Sequence, residues 1–401
     1  MDWDELPVAN LKEDDQVRVE KTIYMDYQAS TPMDQRVLDA MLPYFTHSFG
    51  NPHSSDHILG WKAGAAVDAA RSAVASLIGA NSEEILFTSG ATESNNHALR
   101  GIAKGNRTTR NRMLVGATEH KCVTATAEAL SDELGLIVQF IPVTSEGRID
   151  QESYRKLLGE DVLFVSIMAV NNEIGTFQDI KTLASMAHKW GALFHCDAAQ
   201  APAVMELDVF DLNIDVLSLS AHKMYGPKGI GALFVGTDLL PQFPPMIHGG
   251  EQQGGLRPGT LPTPLCVGFG KAAELIKNDK DGRTHLLKLK KQFLQGLTEA
   301  GVEYQQNSAP LDYCHPGNIN LRFEGVDAHS LLTMLQPLLC ASTGSACNSG
   351  TIESSYVLRT LGLSREQMSS SIRFSLGRYS DDSQVDEAVQ LLASKIGALR
   401  N

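Results

Sequence analysis

The sequence predicts an α/β protein: a mostly parallel sheet covered by helices, followed by a smaller α+β unit. Three observations carry this expectation. Seven short apolar runs recur between residues 84 and 235, each separated from the next by a helix-sized segment or a loop. One of them, Leu163 to Val170, is apolar almost throughout, as a strand buried on both faces must be. From about Gly270 the alternation stops and the chain becomes rich in Lys, Leu and Glu.

The elements follow in order. The first twenty or so residues are polar and acidic and read as a loosely held arm. Asp34 to Phe45 places Val37, Leu38, Met41 and Leu42 at helical spacing. Trp61 to Ile78 is an Ala-rich amphipathic helix, with Gly79 where its C-cap belongs. Glu84 to Thr88 is a short strand that runs through Ser89-Gly90-Ala91-Thr92 into another helix. Met113 to Gly116, Val138 to Pro142, Leu163 to Val170, Leu193 to Asp197, Val216 to Ser220 and Ala232 to Val235 are the further strands. Lys271 to Glu299 reads as one long helix. Strands at Asn318 to Phe323 and Arg373 to Ser375 and a closing helix at Val385 to Leu399 complete the chain. The expected division is 1–32 as an arm and part of the small domain, 33–280 as the large domain and 281–401 as the small domain.

Composition excludes several classes. With 401 residues, 43% hydrophobic and 20% charged, the chain can bury a generous core. Lys and Arg number 34 against 47 Asp and Glu, and a net charge of −13 argues against direct nucleic-acid binding. The densest apolar stretch is too short to span a bilayer, so no membrane association is expected. The acidic N-terminus lacks an apolar signal core. Six cysteines without a CxxC pair fit reduced thiols, which points to the cytoplasm.

Chemistry-bearing residues gather at predicted strand ends, where open parallel sheets bind ligands. Ser89 to Thr92 joins a strand to a helix, so its N–H groups and hydroxyls can hold a phosphate. Taken alone, it reads first as an ordinary capped turn. Neither a Walker A sequence nor a GxGxxG opening a helix occurs. Asp197 closes an apolar strand in His195-Cys196-Asp197-Ala198-Ala199-Gln200, where a carboxylate needs a cation or a donor. Lys223 follows another strand in Ser218-Leu219-Ser220-Ala221-His222-Lys223 and precedes a Gly-Pro break. A lysine desolvated in such a cleft becomes nucleophilic. Pyridoxal phosphate needs a lysine, a carboxylate for its ring nitrogen and donors for its phosphate; all three are present.

The order of TSGATESNN, EHK, NNEIGT, CDAAQ, SAHKMYGPKGIGAL, RPGTLPT, GSACNSG and SSIRFSLGR resembles the cysteine desulfurases of the NifS/IscS type. The likeness runs from Ile23 to Leu399. It implies a fold-type I pyridoxal phosphate transferase with a seven-stranded sheet in its large domain. It implies Lys223 as the Schiff-base lysine and proton shuttle, Asp197 on the ring nitrogen and His120 as a catalytic residue that stacks on the ring and takes part in proton transfer. Ala91 in its turn, Thr92, Ser220 and His222 would hold the phosphate, joined by Thr260 from the second subunit of a homodimer. Asn172 and Gln200 would lie near the ring hydroxyl, and Arg373, with Asn172, would bind the carboxylate of L-cysteine. Cys347, in the small, polar stretch from Ser342 to Gly350, would accept the sulfur as a persulfide and pass it to an acceptor protein.

The other five cysteines read as packing residues, although Cys122, two positions after His120, and Cys196, beside Asp197, are placed to feel the cofactor. His53 and His57 lack an HExxH context, so no metal is expected. His248 and Arg257 flank a Gly-rich segment similar to the family's subunit-crossing loop. The segment from Gly236 to Ile247 carries no arginine, and the chain ends at Asn401 soon after the closing helix. Housekeeping IscS-like members have a basic segment and a C-terminal tail at these places. Iron–sulfur assembly, tRNA thiolation and DNA phosphorothioate modification therefore all remain as destinations for the sulfur. A selenocysteine lyase, an aminotransferase and a catalytically silent docking subunit are the other readings. Cys347 argues against the aminotransferase, and the complete residue set argues against the silent subunit.

Overall fold

The computed structural model describes residues 22–105, 109–344 and 355–400. Its twelve strands are β1 (Ile23–Tyr24), β2 (Ile85–Thr88), β3 (Arg112–Gly116), β4 (Ile137–Ile141), β5 (Val162–Ser166), β6 (Leu193–Asp197), β7 (Val216–Ser220), β8 (Gly231–Val235), β9 (Gln305–Gln306), β10 (Asn318–Arg322), β11 (Leu339–Cys340) and β12 (Ser371–Ser375). Strands β2 to β8 form one seven-stranded sheet in the order β2-β8-β7-β6-β5-β3-β4. All its pairings are parallel except those of β8, which runs antiparallel to both β2 and β7. Every residue of β2, β5, β7 and β8 is buried, because helices pack on both faces. The fold is thus α/β, with the mostly parallel sheet that the apolar runs predict.

A second sheet orders β12-β10-β9, and β1 pairs in parallel with β11. The chain's first described strand is therefore tied to its last third. These two-residue strands carry no periodic signal, and the sequence did not disclose them.

Three element bounds differ from expectation, each for a local reason. The run Leu163 to Val170 leaves the sheet after Ser166, and Val170 turns back to pair with Phe177. Lys271 to Glu299 is not one helix but parts of two, Thr263–Lys277 and Gly282–Glu299. Asn278 to Asp281 favours a turn, and the Asp279 carboxylate accepts the Gly282 N–H at 2.9 Å. Asp34 to Phe45 divides at Leu42-Pro43 into Gln35–Met41 and Pro43–Thr46, because proline starts a helix better than it continues one.

The carboxyl ends of the parallel strands deliver Thr88, Gly116, Ser166, Asp197 and Ser220 to one edge of the sheet. The helix Ala91–Gly105 begins there, and its N–H groups face the same edge with the positive end of the helix dipole.

Candidate active site

Asp197 ends β6 and is buried. Its two oxygens accept from Asn95 Nδ2 at 2.7 Å and from the Ala199 N–H at 2.9 Å. Both donors stabilise the ionised carboxylate. Asn95 lies one helical turn beyond Ala91 and Thr92, so one helix supplies both the small-residue turn and the carboxylate's partner.

Lys223 closes the short helical turn after β7. Its Nζ donates to the Gln28 and Ala29 carbonyls at 2.6 and 2.8 Å. Gln200 Nε2 donates to the same Gln28 carbonyl at 2.9 Å. The segment after β1 therefore joins the lysine to the CDAAQ motif. Ser30 Oγ meets His222 Nδ1 at 3.2 Å, and Thr31 donates to the His222 carbonyl at 2.9 Å. Burial, followed by the charges of Lys223 and Lys228, pushes the His222 imidazole down to about 4, so it is neutral at pH 7.

Gly90 holds a φ of +151°. A Cβ there would lie 3.9 Å from Ser220 Oγ, so the turn before the helix stands beside the Ser220 hydroxyl. Gly231 passes so close to Gly90 that a Cβ would reach its Cα at 2.7 Å. Ser89 caps through its N–H to Glu93 at 2.7 Å, and Glu93 pairs with Arg257 at 2.8 Å. The Gly-rich segment is thus pinned beside this turn. Thr260, three residues after Arg257, is exposed.

His120 is the N-cap of the helix Lys121–Leu134, where its Nδ1 accepts the Cys122 N–H. Glu119 beside it is buried, and its Oε1 accepts the Met168 N–H. Burial and then the charge of Asp197 push Glu119 well above the carboxylate range. Arg373, buried on β12, donates from Nη1 to the Asn172 carbonyl at 2.7 Å and from Nη2 to Asp26 at 2.6 Å. Glu173 is buried near both Arg373 and His120, and it accepts from Ser355 at 2.5 Å.

These bonds bring Asp197, Lys223, Gln200 and His120 to one edge of the sheet, with Ser220, His222, Ala91 and Thr92 at the adjoining turn. Arg373 and Asn172 join from the second sheet and the NNEIGT turn. Cys347 lies outside the described residues. Asp26, Gln28, Asn95, Glu119 and Glu173 belong to the same cluster and were missed by sequence reasoning. Asp26 and Gln28 had one signal, polar residues inside an otherwise apolar, strand-like run.

The aminotransferase class-V family model matches residues 23–388, most of the chain. The chain belongs to the class-V aminotransferase family. This class-V protein is 46% identical over 380 residues to a Rickettsia bellii (strain OSU 85-389) protein named cysteine desulfurase IscS, covering 94% of this chain and 92% of the relative. A solved NifS-like protein superposes with a TM-score of 0.87 at 31% identity, covering 94% of this chain and 100% of the other. SspA in complex with cysteine superposes with a TM-score of 0.79 at 36% identity, covering 90% and 100%.

The class-V donor set fits pyridoxal phosphate. An amine and a carboxylate stand at neighbouring strand ends, the Ser220 hydroxyl stands beside the turn that opens a helix with the neutral His222 two residues on, and Arg373 Nε is buried without a partner among the described residues. A carboxylate ligand would satisfy that last N–H.

Proposed function

We propose that this chain is a cysteine desulfurase that binds pyridoxal phosphate and L-cysteine, releases L-alanine and leaves the sulfur as a persulfide on Cys347. The observation that carries this reading is the joining of Lys223, Asp197 and Arg373 in one cluster at the sheet edge. Arg373 holds the substrate carboxylate while its charge is shared with Asp26 and the Asn172 carbonyl. Asp197 holds the pyridine nitrogen, with Asn95 fixing its orientation. Thr92, Ser220 and His222 hold the phosphate, and Asn172 and Gln200 lie near the ring hydroxyl.

Bound there, the cofactor supplies an electron sink that acidifies the substrate Cα–H and opens its sulfur to attack. Lys223 takes the Cα proton and gives one back to the carbon product, and the proton that the Cys347 thiol releases goes to the product's methyl carbon. The Cys347 thiolate attacks the substrate sulfur, so one S–S bond forms as one C–S bond breaks. L-cysteine and the enzyme thiol are thereby converted to L-alanine and the enzyme persulfide, with no external oxidant.

A homodimer fits this reading. Leu42, Phe45, Phe49, Ile58 and Trp61 are each more than half exposed within one stretch of chain, as an uncovered interface would be. Thr260 then serves the phosphate site of the second copy. The division is 33–280 as the large domain and 281–401 as the small domain, which residues 22–32 join through the pairing of β1 with β11. Among the described residues no helix is long and apolar enough to cross a membrane, and a cytoplasmic location accords with that. The acceptor is a protein, given the charge of −13. Iron–sulfur assembly, tRNA thiolation and DNA phosphorothioate modification all stay open as destinations for the sulfur.

The test is incubation with L-cysteine and pyridoxal phosphate, with alanine and protein-bound persulfide measured. The expected result is both products, and Cys347→Ser keeps the cofactor but loses the persulfide. A protein that stays colourless with the cofactor and yields no alanine overturns the reading. Substantial persulfide from Cys347→Ser overturns the role of Cys347 alone.

A further inference from the structure

Cys122 is half-buried on the first turn of the helix Lys121–Leu134, and its thiol stands between two residues of the site. Its Sγ lies 3.0 Å from His120 Nδ1 and 3.2 Å from Asn95 Nδ2. Asn95 also donates to Asp197 Oδ2 at 2.7 Å. Four side chains thus form a continuous line from the carboxylate at the end of β6 to the imidazole at the helix start.

The direction of each bond follows from the groups involved. An ionised carboxylate only accepts, so Asn95 turns its NH2 group towards Asp197. The reverse orientation would set the amide oxygen against the carboxylate. The two amide hydrogens then serve Asp197 and Cys122, and Sγ is an acceptor there. At the other end His120 Nδ1 accepts the Cys122 backbone N–H at 3.2 Å. A nitrogen that accepts carries no proton, so the thiol is the donor in the 3.0 Å contact. The neutral ring therefore carries its proton on Nε2.

We propose that Cys122 is a positioning residue: together with Asn95 it ties Asp197 to His120 and locks His120 as the Nε2–H tautomer. The bonds stand on geometry alone; their purpose rests on the cofactor reading given above. A ring flip would break both bonds at Nδ1 by putting the Cδ2–H in its place, and the other tautomer would set an N–H against the Cys122 N–H. Loss of the thiol would also leave a hydrogen of Asn95, which is fully buried, without an acceptor. The ring nitrogen that bears the proton is thus set by the Cys122 backbone N–H, and the thiol adds a second donor that holds the ring in that form.

The test reads the imidazole directly. Diethyl pyrocarbonate acylates an imidazole nitrogen whose lone pair is available, and peptide mapping by mass spectrometry assigns the rate to each histidine. The full chain is labelled at pH 7.5, as purified with its cofactor and again after cofactor removal. In the cofactor-free protein, Cys122→Ala is expected to raise the His120 rate about 3- to 10-fold, the worth of one net hydrogen bond. Cys122→Ser restores the slow rate, because a hydroxyl donates and accepts in the same way. His195 and His315 are buried and serve as internal controls. An unchanged His120 rate in Cys122→Ala, no rescue by serine, or faster labelling that spreads to both control histidines overturns the proposal. If Cys122→Ala fails to fold, the ring carbon and nitrogen shifts of His120 in the wild-type protein report the tautomer. An Nδ1–H form overturns the proposal and an Nε2–H form supports it. Absence of the cofactor's absorption or of alanine counts against the desulfurase reading and leaves these rates unaffected.

Discussion

Arg373 and Asp26 form a partly buried ion pair, with Nη2 2.6 Å from Oδ1, that joins β12 to the segment just after β1. The pair spans nearly the whole chain, and burial raises the Asp26 carboxyl although Arg373 and Lys223 offset part of that rise. Arg373 spends Nη1 on Asn172 and Nη2 on Asp26, while its buried Nε has no hydrogen-bond partner among the described residues.

The first prediction follows from that fork. A lysine in place of Arg373 has one ammonium for three tasks and cannot meet a carboxylate while keeping Asp26 and Asn172. Arg373→Lys should raise KM for L-cysteine about 10- to 100-fold, with cofactor absorption retained. Steady-state alanine production against cysteine concentration checks this. A KM equal to wild type would mean that the substrate carboxylate is held elsewhere.

Lys223 and Gln200 share the Gln28 carbonyl, and the amine also donates to the Ala29 carbonyl, so backbone oxygens hold its resting position. Lys223→Ala removes one donor from that carbonyl and leaves the second. The variant should fold, bind pyridoxal phosphate more weakly and lack the absorption near 400 nm (roughly the range of a lysine-bound cofactor). An unchanged absorption spectrum would contradict the role of Lys223.

The lysine and the carboxylate were legible because a parallel sheet turns chain order into position: apolar runs mark strands, and what ends a strand lies at the ligand edge. Asp197 and Lys223 sit at such ends, so periodicity alone placed both. Asp26 and Gln28 were not legible, since their partners lie 347 and 195 residues away and no local pattern encodes such pairings. Asn95 and Glu119 stood inside quoted motifs, but their importance comes from burial beside Asp197, which only the packed structure supplies. The break at Asn278 to Asp281 was hidden by strong helix formers on both sides.

His315 offers a stability test with a definite sign. Burial pushes it down to about 3, and its Nδ1 accepts the Gly317 N–H at 3.0 Å. Its unfolded value is about 6.5, so between pH 6.5 and 4 the unfolded chain binds the extra proton and the folded state loses stability as pH falls. His315→Asn keeps an acceptor for Gly317 and removes the titration. The wild-type Tm minus the variant Tm should therefore fall as pH drops through that window. Calorimetry at pH 7, 6, 5 and 4 checks it. A constant difference would mean that the folded ring protonates as freely as the unfolded one.

Glu119 gives the opposite sign. Burial and Asp197 raise it, so above the ordinary carboxylate range the folded protein holds a proton that the unfolded chain releases. Its contribution is present at acid pH and is lost as pH rises towards the folded value. Glu119→Gln keeps an oxygen for the Met168 N–H and cannot ionise. Its Tm relative to wild type should climb between pH 5 and 8. Glu119→Ala leaves that buried N–H unpaired and should cost about 1–3 kcal/mol at every pH in the range. If Glu119→Gln instead loses ground as pH rises, the carboxylate is ionised in the folded state and is held by a cation. In that case the two negative charges of Glu119 and Asp197 coexist beside His120, and the site's electrostatics differ from those derived from its burial.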